Sequence, residues 1–374
     1  MLQKNRVLKK FEEMVKINSP SLQEKELANK IKNELNLMNI EFSEDNTAEK
    51  INGNCGNIIA EIDGDIAGPT LLIAAHMDRV EPGREIEPVI SGDYIKSAGK
   101  TILAADDIIG VTAILEALNR AKKNNIQLPS LIIVFTVAEE IGMLGAKNLP
   151  ADIIKKADYG IVLDVDGAVG KIVYKAPSRI KFNAVIRGKT AHAGTDPERG
   201  VNAIKITSHA ISTIDLGHID KNLTANIGVI KGGIASNMVP DMVELEGEVR
   251  SFEDKKIRKQ IEHMKNTINF YVKKFGGKVE YNISRTYSRF NLCKENKIIK
   301  ISSKAAKKLS IKPILATSRG GSDANILNSK GLPTINLGTG MKNVHSTSEK
   351  VKIESLYKLI DYVMEIFKYA GWYS

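Results

Sequence analysis

Ser130-Leu-Ile-Ile-Val-Phe-Thr-Val-Ala-Glu-Glu140 opens with a continuous apolar, β-branched run, Ser130–Val137, and ends on two carboxylates. Its length and its lack of alternation predict a strand buried on both faces, as inside a parallel or mixed α/β sheet. Two adjacent carboxylates at the end of such a strand need compensating positive charge, because burying like charges together is costly. Their side chains leave the chain in different directions, so one can bind a metal while its neighbour handles protons.

Moving outward, Asn57–Ile62, Thr70–His76 and Tyr159–Leu163 also read as short strands, while Ile108–Asn124 and Gly142–Leu149 read as helices. In Ile108–Asn124 the apolar positions Val111, Ile114, Leu115 and Leu118 have helical spacing. Strands alternating with helices predict an α/β layered domain. Residues 1–40 read as two amphipathic helices separated by Asn18-Ser-Pro-Ser21, with Ser19 or Ser21 placed to cap the helix through Glu24–Leu37.

Five polar segments punctuate this pattern: His76-Met-Asp78, Asp106-Asp107, Glu139-Glu140, Asp164-Val-Asp166 and Asn343-Val-His345. The first four follow predicted strands or open the helix, which is where open α/β sheets build their sites. In an extended segment, residues i and i+2 share a face, so His76 and Asp78 point the same way. That suits a metal ligand and a partner fixing its tautomer; a strand-end His with a capping Asp is the alternative. Asp106 is a candidate to bridge two metals, whereas Asp107 can simply cap the helix. Asp164 fits a terminal ligand and His345 the last one. Of the six His, those at 209, 218 and 263 read as surface residues.

The character changes after Ala176-Pro177. Ile180–Ile186, Asn202–Thr213, Thr224–Ile230, Met242–Ser251, Asp254–Phe275 and Lys278–Ser284 read as strand, helix, strand, strand, helix, strand. That βαββαβ order predicts a small two-layer sandwich inserted into the first domain. The expected boundaries are 1–177 and 287–374 for the catalytic domain and 178–286 for the insert. Two domains also suit a chain of 374 residues.

Composition excludes several classes. The net charge of +10 suggests nucleic acid, but only 12 of the 54 basic residues are Arg and aromatics make up 5%. A nucleic-acid module would cluster base and aromatic side chains, so a solvated Lys-rich surface is the reading taken. No apolar run reaches the ~18–20 residues that span a bilayer, and no signal-like apolar segment opens the chain. Cys55 and Cys293 read as free thiols, and a cytoplasmic protein is expected.

The run His76-Met-Asp-Arg-Val-Glu-Pro-Gly83 continues the pattern through Tyr94-Ile-Lys-Ser97, Thr101-Ile-Leu-Ala-Ala-Asp-Asp107 and Val137-Ala-Glu-Glu-Ile-Gly142. Gly188-Lys-Thr-Ala-His-Ala-Gly194, Arg319-Gly-Gly-Ser-Asp323 and Asn336-Leu-Gly-Thr-Gly340 complete it. Together they resemble the peptidase T branch of the co-catalytic zinc exopeptidases, whose relatives include carboxypeptidase G and succinyl-diaminopimelate desuccinylase. The resemblance implies a phosphorylase/hydrolase-like α/β catalytic domain with a lid or dimerisation insert. It implies one metal on His76, Asp106 and Asp164 and a second on Asp106, Glu140 and His345, with Zn2+ as the expected ion and Co2+ or Mn2+ as substitutes. Asp78 would orient His76, Glu139 would be the general base, and His192 would add a hydrogen bond to the oxyanion. Arg319 would recognise a substrate carboxylate and Asn237 would touch substrate. The family often has a cis peptide between the residues matching Asp106 and Asp107.

The implied reaction is release of N-terminal residues from short peptides, with N-acyl-amino-acid deacylation or carboxypeptidase action as alternatives on the same metals, and a non-catalytic peptide-binding protein as a third reading. A homodimer through the insert is expected, with no nucleic-acid or membrane partner. Three residues depart from the pattern: Arg79 stands where relatives commonly have Thr, and Ala98 and Lys100 replace Asp and Thr. Arg79 is expected to alter the charge of the substrate pocket.

Overall fold

The computed structural model describes residues 2–371. The chain forms two compact units, one of Met1–Lys175, Asn291–Ser318 and Ser322–Ser374, the other of Ala176–Phe290 with Arg319–Gly321. The chain thus leaves the first unit at Lys175 rather than after 177 and re-enters it at Asn291 rather than at 287. Arg319–Gly321, which the sequence placed in the catalytic domain, clusters with the second unit.

The first unit is built on a nine-stranded mixed sheet. From one edge its order runs Ser43–Glu44, Ile58–Ile62, Leu131–Thr136, Leu71–His76, Tyr159–Val165, Thr334–Gly338, Lys171–Ala176 and Phe290–Asn291, with Ile314–Thr317 also paired to Lys171–Ala176. Its four central strands, Leu131–Thr136 through Thr334–Gly338, are mutually parallel. Leu131–Thr136 and Leu71–His76 are buried at every position, which explains their unbroken apolar reading. Register pairs His76 with Thr136 and Ala74 with Val162, so His76 and Asp164 lie level at the carboxyl edge.

Ala105–Lys123 packs on Leu71–His76 and is covered in turn by Leu2–Lys16 and Ile353–Gly371. Such a helix needs apolar residues all round, and most of its positions are buried. A four-stranded antiparallel sheet, Met341–Lys342, Lys350–Lys352, Tyr94–Ser97 and Pro88–Ser91, was not expected from the sequence. Its strands run two to four residues, too short for alternation to show.

The second unit is a five-stranded antiparallel sheet in the order Gly217–Asp220, Leu223–Gly232, Met242–Ser251, Ser178–Arg187, Lys278–Tyr287. Ala203–Thr213 and Asp254–Phe275 pack against it, sharing a core with Phe182, Ile186, Val243 and Leu245. The short strand Gly217–Asp220 is an addition to the expected βαββαβ order. No described helix is long and apolar enough to cross a membrane.

Candidate active site

The carboxyl edge of the central sheet gathers the predicted ligands. His76 Nε2 lies 3.1 Å from Asp106 Oδ1 and 4.0 Å from Asp164 Oδ1. His345 Nε2 lies 3.2 Å from Asp106 Oδ2 and 3.0 Å from Glu140 Oε1. Each oxygen of Asp106 therefore faces a different imidazole. Ligand atoms of His76, Asp106 and Glu140 all fall within 4.8 Å of one another. The peptide between Asp106 and Asp107 is cis.

Electrostatics show what this donor set lacks. Asp106, Asp107, Glu139 and Asp323 are all buried. Burial pushes Asp164 well above the ordinary carboxylate range, and repulsion from Asp106 adds to it. Glu139 is raised by burial and by Asp323 and Glu140, although His76 opposes this. Burial also favours neutral Asp106, yet hydrogen bonds from His345 and His76 win and hold it far below its usual range. His345 is pushed up to about 10 by its hydrogen bonds to Asp106 and Glu140. Carboxylates thus outnumber the imidazoles that face them. Divalent cations match both the oxygen-and-imidazole donors and the missing charge.

Neighbouring groups hold these ligands in place. Glu349 accepts the backbone amides of Leu103 and Ala104 at 2.8 Å on Oε2 and that of Asp106 at 3.1 Å on Oε1. Asp107 Oδ2 accepts the His76 amide at 3.2 Å, and Asp107 Oδ1 accepts that of Gly110, at the helix start where an acidic cap was considered. At Gly110 a Cβ would stand 2.5 Å from Asp107 Oδ1 and 2.7 Å from the Leu163 carbonyl, so only glycine fits. The Asn336 side chain bonds both backbone polar groups of Asp164. Apart from the Asp107 cap, none of these supports was read from the sequence. Glu349, four residues beyond His345, is the one whose position in a ligand-bearing loop was visible.

Two expectations change and one is extended. Asp78 lies against His76 as expected, its main-chain carbonyl 3.0 Å from Nδ1 and its carboxylate Oδ1 at 3.4 Å. That carboxylate also accepts the amides of Glu139 at 2.8 Å and Glu140 at 3.1 Å. Ser21 does not cap the second helix; its hydroxyl donates to Asp78 Oδ2 at 2.6 Å. Arg79 is not exposed to a substrate, because its side chain is buried against Val15, Ser19 and Gly83.

Residues 72–369 match the model of peptidase family M20/M25/M40. The chain belongs to this family. The protein YqjE of Bacillus subtilis is 39% identical over 371 residues, spanning 99% of this chain and 100% of its own. The crystal structure of aminopeptidase PepT from Bacillus cereus is 38% identical, with a TM-score of 0.89 over 98% of both chains. That of a Staphylococcus aureus tripeptidase is 36% identical, with a TM-score of 0.94 over 98% of both. The resemblance to peptidase T read from the motifs is thereby established, as is the α/β fold of this peptidase family. The protein is an enzyme of the metallopeptidase class.

The other residues expected of this peptidase site lie in the second unit. His192 Nδ1 accepts the amides of Gly194 at 3.1 Å and Thr195 at 3.0 Å. Its lone pair is therefore occupied, which leaves Nε2 to carry the proton and act as donor. Asn237 is beside it in space, its carbonyl accepting the Ala193 amide at 2.9 Å. Arg319 lies with His218, its Nη1 3.1 Å from the imidazole, and His218 is exposed, the surface residue expected.

Proposed function

We propose that this peptidase is an aminopeptidase of tripeptidase type, releasing N-terminal residues from short peptides at a centre of two divalent ions, zinc foremost. The observation that carries this is Asp106, whose two oxygens face the two imidazoles and suit a bridge between ions. The names of the Bacillus cereus and Staphylococcus aureus relatives support the substrate class.

His76, Asp106 and Asp164 would hold one ion; Asp106, Glu140 and His345 the other. Such a pair supplies an activated water and a Lewis acid for the scissile carbonyl. Glu139 takes the proton of the attacking water and delivers it to the amine nitrogen as the C–N bond breaks. Its burial raises its proton affinity, as that shuttle needs. His192 Nε2–H donates to the carbonyl oxygen as negative charge develops there. Arg319 takes the substrate carboxylate through its planar fork, and Asn237 contacts the peptide.

The functional molecule is proposed to be a homodimer through the second unit. The outer edge of Leu223–Gly232 is paired only over Leu223–Ala225, and Ile230 and Ile234 on and beyond this strand are exposed. Such an edge invites pairing. Free Cys55 and Cys293 suit a reducing, cytoplasmic compartment.

A panel of di-, tri- and tetrapeptides and N-acyl amino acids, with products read by mass, tests the substrate class. Preferential release of the first residue of tripeptides is expected. Cleavage confined to N-acyl amino acids overturns the reading.

A further inference from the structure

The strand Leu131–Thr136 ends just before the chemistry, and the Val137 amide already leaves the sheet ladder for the Asn57 side chain. Ala138 lies at φ +51° and Met143 at φ +59°, so the backbone turns sharply around Glu139 and Glu140. Within the turn, the Gly142 and Met143 amides both go to the Glu139 carbonyl. The amides of Ala138, Glu139 and Glu140 go to side-chain carboxylates: Glu24 Oε1 at 3.0 Å, Asp78 Oδ1 at 2.8 Å and Asp78 Oδ2 at 3.1 Å. Three successive peptide planes at the proposed proton carrier are thus set by two carboxylates.

Those carboxylates are themselves set by the N-terminal segment. Ser21 Oγ donates to Asp78 Oδ2 at 2.6 Å, and the Leu22 amide donates to Glu24 Oε1 at 2.9 Å. Pro20 forms a parallel bridge to Arg79, and the Arg79 amide donates to the Ser19 carbonyl at 3.1 Å. The Arg79 guanidinium then reaches the Val15 carbonyl at 2.8 Å and the Ser19 hydroxyl at 3.1 Å. Residues 15–24 are therefore stapled along the backbone that follows His76. Ser21 and Glu24 both precede residue 72, where the match to the family begins.

We infer that Ser21 and Glu24 are positioning residues for the Glu139–Glu140 turn, so that the segment between the first two helices belongs to the catalytic apparatus. Ser21 adds a hydrogen bond to the Asp78 carboxylate on Oδ2, the oxygen that also holds the Glu140 amide. Glu24 fixes the Ala138 amide, where the chain leaves the strand. The inference rests on Glu139 being the proton carrier, and its test separates the two ideas.

The experiment uses the full-length, zinc-loaded protein and compares wild type with Ser21→Ala, Ser21→Thr, Glu24→Ala and Glu24→Gln. Amide hydrogen exchange over residues 137–143 is read beside kcat, KM, zinc content and Tm. A charge-assisted hydrogen bond lost from such a network leads us to expect about tenfold faster exchange at Glu139 and Glu140 in Ser21→Ala, and about tenfold lower kcat. KM and zinc content should stay near wild type. Glu24→Ala should act in the same way at Ala138. Thr at 21 and Gln at 24 retain the hydroxyl donor and the acceptor oxygen, so they should restore both readouts.

Unchanged exchange at these amides overturns the inference. So does a uniform rise across the central sheet with a matching fall in Tm, since that is a loss of stability and not of position. Wild type inactive on every peptide sinks the preceding functional reading, while the exchange data still decide this one. Wild type active with Ser21→Ala equally active sinks only the positioning role.

Discussion

Asp106 concentrates the electrostatics of the site in one side chain: it is buried, flanked by two imidazoles and surrounded by further carboxylates. Glu139 is the opposite case, a buried carboxyl with no imidazole partner, suited to carrying protons. Glu139→Gln should cut turnover about 10²–10⁴-fold, the usual worth of general acid–base catalysis, while two zinc ions per chain remain by metal analysis. Undiminished turnover would move the base elsewhere. Glu349 is a support rather than a ligand, and Glu349→Ala leaves three buried amides without their acceptor. A loss of roughly 2–4 kcal/mol in urea unfolding is expected; a change below 0.5 kcal/mol would show that water replaces the carboxylate. The two thiols also differ. Burial pushes Cys55 up to about 12, whereas Cys293 is exposed. A thiol reagent should modify one cysteine per native chain and two in denaturant, and two fast reactions in the native protein would contradict the burial.

At the scale of elements, the strand readings at 58–62, 71–76, 131–136 and 159–165 came within one or two residues of their bounds, because mostly buried strands leave an apolar signature that needs no partner to interpret. The tasks of Ser21, Asp78 and Arg79 were not legible in this way. Each is decided by a segment some sixty residues away in sequence, and an isolated Ser before a helix looks like a cap whatever it finally touches. Glu24 carries a pH consequence. Burial first, and the charge of Asp78 second, push its carboxyl up to about 7. Ionisation therefore penalises the folded state: the penalty is absent below the unfolded carboxyl pKa of about 4.3 and grows until the pH passes about 7. Glu24→Gln should raise thermal stability at pH 8 by the equivalent of about 1–3 kcal/mol, and by less at pH 5. An equal gain at both values would mean the carboxyl titrates normally.

Over the whole molecule, the surplus of buried carboxylates links metal binding to stability. Ions that bind the folded chain and not the unfolded one stabilise it by about 2.7 kcal/mol at a concentration one hundred times Kd. Exhaustive chelation should therefore lower Tm by several degrees, and zinc should restore it; a Tm indifferent to both would remove the metal centre. Light scattering should give about twice the 41.0 kDa chain mass for the proposed dimer. A charged substitution such as Ile230→Lys at the open edge of Leu223–Gly232 should shift it toward one chain mass.

The sequence by itself determined the reaction class and the α/β frame. Both rest on local signals: unbroken apolar strands, carboxylates and histidines at their ends, and motifs short enough to be read in place. Only the tertiary structure decided which carboxylates hold the backbone of the site. Asp78, Asp107, Glu24 and Glu349 are equivalent acids in a string of letters, but a buried carboxylate takes its role from the amides and imidazoles that long-range packing brings within 3 Å or so. That is why Glu139 emerged from the sequence as a candidate base, and why the N-terminal segment that orients it emerged only from the fold.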